Sequence, residues 1–83
     1  MKIGVYAVRD EVAEVFMYPH TSINNAVAER DFRSLCSQAG SPLHANRSDL
    51  VLYRIGSFDD NLGSISADDV TPICRFKERD DNA

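Results

Sequence analysis

Eighty-three residues with 13 acidic and 9 basic side chains, a formal net charge of −4, hold material for one hydrophobic core and exclude a second domain. With 43% hydrophobic and 27% charged residues, the composition excludes a disordered chain, and the acidic balance excludes a monomer that holds nucleic acid by bulk charge, leaving room for a local basic patch. Two cysteines far apart in sequence, Cys36 and Cys74, exclude a disulfide-stapled secreted scaffold and are expected to be free thiols in a reducing cytosol.

The start, Met1 to Tyr6, lacks the long apolar stretch of a leader, and no apolar run approaches the ~20 residues of a membrane span. Lys2 to Arg9 predicts a first strand, with Ile3, Val5 and Ala7 on one side and Tyr6 and Val8 on the other. After the polar break at Arg9 to Glu11, Val12 to Tyr18 predicts a second strand, antiparallel to the first and ended by Pro19. Thr21 or Ser22 is the expected N-cap of a helix reaching Ala39, with Gly40 as its terminating residue. Steps of 100° place Ala28, Phe32, Leu35, Cys36 and Ala39 in one stripe facing the sheet, with Arg30 and Arg33 on the opposite side.

Ser41 to Asp49 reads as a loop, and Leu50 to Ile55, ending at Gly56, as the strongest strand signal. A turn over Phe58 to Gly63 leads to a short fourth strand, Gly63 to Ser66. An acidic stretch and a short extended piece, Ile73 to Phe76, follow, and the charged tail 77–83 is expected to fray from a domain spanning residues 1–76. The predicted fold is α+β, in the order β-β-α-β-β: an antiparallel sheet of about four strands with one helix on one face. The other face, with several apolar side chains and no second layer, is expected to meet a partner, often a second copy.

No catalytic or metal-binding pattern emerges. His20, His44, Cys36 and Cys74 have no ligand-pair spacing, so loop histidines and packed thiols are expected, with no metal and no cofactor. Asp59 to Gly63 fails as a calcium loop, with Ser64 where glycine is needed and Val70 where the bidentate glutamate belongs. There is neither a nucleophile-elbow motif nor a glycine-rich phosphate loop, and the chain is expected not to be an enzyme. What remains is surface. Arg30, Arg33, Arg47 and Arg54 can form a basic patch, and Tyr6, Tyr18, Tyr53 and Phe76 are candidate platforms for unpaired bases. Against this stand solvated helix arginines paired with acids such as Glu29, and strand aromatics that serve the core.

The ordered landmarks Val5-Tyr6-Ala7-Val8-Arg9-Asp10, Phe16, Pro19, Asn25-Ala26-Val27-Ala28, Arg30, Phe32, Asp49 to Asp59, Gly63 and Ile65 resemble the small nonstructural protein of gokushovirus-type microviruses, bacteriophages with single-stranded DNA genomes. The resemblance runs from Lys2 to about Ser66. It implies a nonstructural, non-catalytic protein of the host bacterial cytoplasm that binds single-stranded DNA during genome replication or packaging. Under that reading Arg9, Arg30, Arg33, Arg47 and Arg54 meet phosphates and Tyr6 and Tyr53 meet bases, and a homodimer joins two basic sets into one track. Two alternatives stay open: an adaptor for host replication proteins or capsid precursors, and an acidic DNA mimic using Asp59, Asp60, Asp68 and Asp69.

Overall fold

A computed structural model describes residues 1–77. Strand β1 is Lys2–Asp10, β2 Val15–Phe16, β3 His20–Ser22, helix α1 Asn25–Ser37, β4 Leu50–Asp59 and β5 Ser64–Arg75. All five strands form one antiparallel sheet in the order β2-β1-β4-β5, with β3 also on β1. The α+β class and the helix on one face are as expected. Among the described residues no helix is long and apolar enough to cross a membrane. Of the charged tail 77–83, only Lys77 lies within the described residues.

The second strand is shorter than its apolar pattern suggests, for a local reason. Asp10 Oδ1 accepts from the amides of Val12 and Ala13, and Glu14 N–H closes onto Asp10 O with Glu14 in the left-handed region (φ 60°). These bonds hold residues 11–14 as a turn, so pairing begins only at Val15. Phe16 lies opposite Arg9 and Met17 N–H reaches Val8 O, whereas His20 lies opposite Tyr6. Tyr18 and Pro19 thus share the single position opposite Ala7, a bulge that throws the Tyr18 side chain outward. Pro19 therefore interrupts the pairing rather than ending it, and the chain resumes as β3.

Thr21 and Ser22 are consumed by that pairing, so the helix is capped by Asn24, whose Oδ1 accepts from Val27 N–H at 2.8 Å. The helix stops at Ser37, with Gln38 extended, before the expected Gly40. His44 Nδ1 donates to Cys36 O at 2.8 Å, satisfying a carbonyl that another turn of helix would have used. The buried stripe is accordingly Ala28, Phe32 and Cys36, while Leu35 and Ala39 stand exposed. It packs on Tyr6, Val8, Leu50, Leu52 and Phe76 to form the core.

Strand β4 runs through Gly56 instead of ending there. A Cβ on Gly56 would lie 2.5 Å from Ser66 O, so only glycine lets β4 and β5 approach at this point. The fourth strand and the extended piece Ile73 to Phe76 are largely one element: β5 continues to Arg75, with register shifts opposite Leu52/Tyr53 and Arg54/Gly56. The second shift leaves Asp68, Asp69 and Val70 opposite Ile55 alone. Asp68 uses this slack to accept from Ser57 Oγ at 2.7 Å.

Candidate functional site

Alternation along β1 and β4 sends Tyr6, Val8, Leu50 and Leu52 to the helix and their neighbours Ala7, Arg9, Val51 and Tyr53 to the helix-free face. Cross-strand register then builds one row over four strands: Phe16 on β2, Arg9 on β1, Val51 on β4 and Arg75 on β5. Tyr53 stands beside it, opposite Ala7. Val5, Ala7 and Val51 are buried although no second layer covers them.

The Phe16 and Tyr53 rings meet edge to face with centroids 5.3 Å apart. The Arg9 guanidinium lies 5.8 Å from the Phe16 centroid and pairs with Glu11. Glu11 also accepts from the Tyr53 hydroxyl at 2.9 Å. That hydrogen bond, reinforced by partial burial and the Glu11 charge, holds the Tyr53 phenol above its ordinary pKa, while Arg9 and Arg75 pull the other way. The face thus carries two arginines and two aromatic rings, with one carboxylate, Glu11, bonded to Arg9 and Tyr53.

Of the seven residues the sequence marks for nucleic acid, only Arg9 and Tyr53 come together here. Tyr6 is a core residue: its ring is fully buried and its hydroxyl donates to Asn25 Oδ1, so it offers no face to a base. Phe76 is likewise buried in the core. Arg54 lies on the helix side, 5.8 Å over the Tyr6 ring, with Ser57, Asn25 and Asp68 around its guanidinium. Arg30 sits on the outer side of α1, paired with Asp31 at 3.4 Å, whereas Arg33, expected on that same side, is half-buried, pairs with Glu29 at 3.8 Å and lies beside Cys74 of the sheet. Arg47 folds back on its loop, donating to His44 O at 2.7 Å. Two members of the cluster, Phe16 and Arg75, escape the sequence reading. Arg75 comes opposite Val51 only through the two register shifts of β5, which local pattern does not signal.

A second surface lies around the edge of the sheet. The bulged segment at Tyr18, helix α1 and the loop at Pro42 and Leu43 enclose an open groove of about 980 Å³, floored by Val8 and Phe32. The two thiols are placed elsewhere. Cys36 is in the core, and Cys74, half-buried near Glu29, has its pKa pushed up to about 11, chiefly by burial. Among the described residues, no three His, Cys, Asp or Glu side chains converge to hold a metal ion.

Fold and surface together define a small α+β protein that presents an exposed sheet face and an open apolar groove. The chain belongs to the Phage ORF5 protein family, whose model matches residues 3–79, and is a phage accessory protein. No curated protein and no solved structure matches it.

Proposed function

We propose that this phage protein binds single-stranded DNA without catalysis, through the helix-free face of its sheet, during viral genome replication or packaging in the host cytoplasm. The observation that carries the reading is the row of Arg9, Phe16 and Arg75 with Tyr53 beside it, two cations and two rings on an exposed face. Rings of this kind stack on any unpaired base, and guanidinium groups track the phosphates. The Arg9 and Glu11 side chains are each about a quarter exposed, so a phosphate can reach Arg9 in competition with this carboxylate. The likeness to gokushovirus-type nonstructural proteins points the same way.

Fluorescence anisotropy with a labelled oligonucleotide, run in parallel on single-stranded DNA, duplex DNA and RNA over a salt series, tests this. Binding should favour the DNA single strand and fall steeply with salt, and Tyr53→Ala and Arg9→Glu should each weaken it by about tenfold. Arg30→Glu, on the far side of the helix, should leave it unchanged. An absence of binding at low salt would defeat the proposal.

A further inference from the structure

We infer that the groove beside α1, with the exposed segment 16–18 on its rim, is the contact surface between two copies of this chain, packed face to face about a two-fold axis. The groove's lining includes Phe16, Met17 and Tyr18, which are 41, 37 and 93% exposed, and Leu35, 43% exposed. With a large side chain offering roughly 150–250 Å² in the open, these fractions leave about 400 Å² of mostly apolar surface around the groove. A patch of that size is within the range of the largest one a monomer leaves in water, about 300–600 Å², and such patches are often functional. It also suits the apolar centre of an interface that buries ~800 Å² per partner within a polar rim.

The shape favours a second copy. The bulge makes Tyr18 a projecting knob, and the groove it borders is a concavity on the same side of the molecule. A patch that carries both can bind its own image, as an isologous contact requires. The charge pattern agrees, because Asp31 is the only carboxylate among the described residues lining the groove and is paired with Arg30 at 3.4 Å, so two copies can approach there with little repulsion.

Pairing through backbone is blocked at both edges of the sheet. β5 carries Pro72, two register shifts and the Asp68-Asp69 pair, and the opposite edge is broken at Tyr18-Pro19. Side-chain packing is the remaining route. Phe16 belongs to both the groove lining and the proposed DNA face, whereas Tyr18 and Leu35 line the groove and Arg9 and Tyr53 do not, so variants at these four positions separate the two readings.

Sedimentation equilibrium of the full chain over a micromolar range should give twice the 9.3 kDa chain mass. Tyr18→Asp and Leu35→Glu, both at exposed positions, should each weaken the dimer by at least about tenfold with an unchanged circular-dichroism spectrum. Ile65→Asp, exposed on the hairpin away from the groove, should leave it intact. A 9.3 kDa species at every concentration, as expected if the groove instead takes a segment of another protein, would overturn the inference; so would a dimer indifferent to both groove variants.

Discussion

Glu11 ties the helix-free face together, accepting from Tyr53 at one carboxylate oxygen and Arg9 at the other. Because the bond to Tyr53 exists only while the phenol keeps its proton, its contribution to stability has a definite pH window. A group whose folded pKa is raised stabilises fully below its unfolded value, about 10 for tyrosine, and loses that contribution as pH rises through the folded value. The urea midpoint of the wild type should therefore exceed that of Tyr53→Phe at pH 8, and the gap should close above about pH 10. A gap that persists at high pH would remove the hydrogen bond from the account. Gly56 shows the complementary limit at this scale: its lack of a side chain, rather than any group it carries, allows the close approach of β4 to β5.

At the scale of elements, polar contacts hold both ends of α1, with Asn24 capping its first turn and His44 its last. A helix of 13 residues is too short to persist in water alone, so these caps act with the packing of Ala28, Phe32 and Cys36 on the sheet. Asn24→Ala should cost about 1 kcal/mol, read from the shift in chemical-denaturation midpoint. Thr21→Ala, at the position sequence alone suggests as a cap, should cost clearly less, because that residue is exposed on β3. The hairpin of β4 and β5 depends instead on Asp59, whose carboxylate accepts from the amides of Asn61 and Leu62 and is held below its ordinary pKa by them.

For the molecule as a whole, a single layer of helix leaves two surfaces open, one cationic and aromatic, the other apolar. Exposed edges add a hazard that the chain manages with proline, bulges and acids along β5. Restoring regular pairing potential with the double change Asp69→Val and Pro72→Val should raise light scattering on concentration, while the wild type stays clear. Equal solubility of the two proteins would show that the edge needs no such protection.

By itself the sequence determined the α+β class, the strand signals of β1 and β4, and the inward stripe of Ala28, Phe32 and Cys36. These follow from local periodicity, a property of the chain before it folds. Tertiary structure alone decided that Thr21 and Ser22 pair in β3, that Ser64 to Arg75 is one strand, and that Tyr6 turns inward while Arg9 and Tyr53 meet Phe16 and Arg75. The reason is register. Which residues on separate strands become neighbours depends on bulges that shift pairing by a residue, and those are set by contacts between segments distant in the chain.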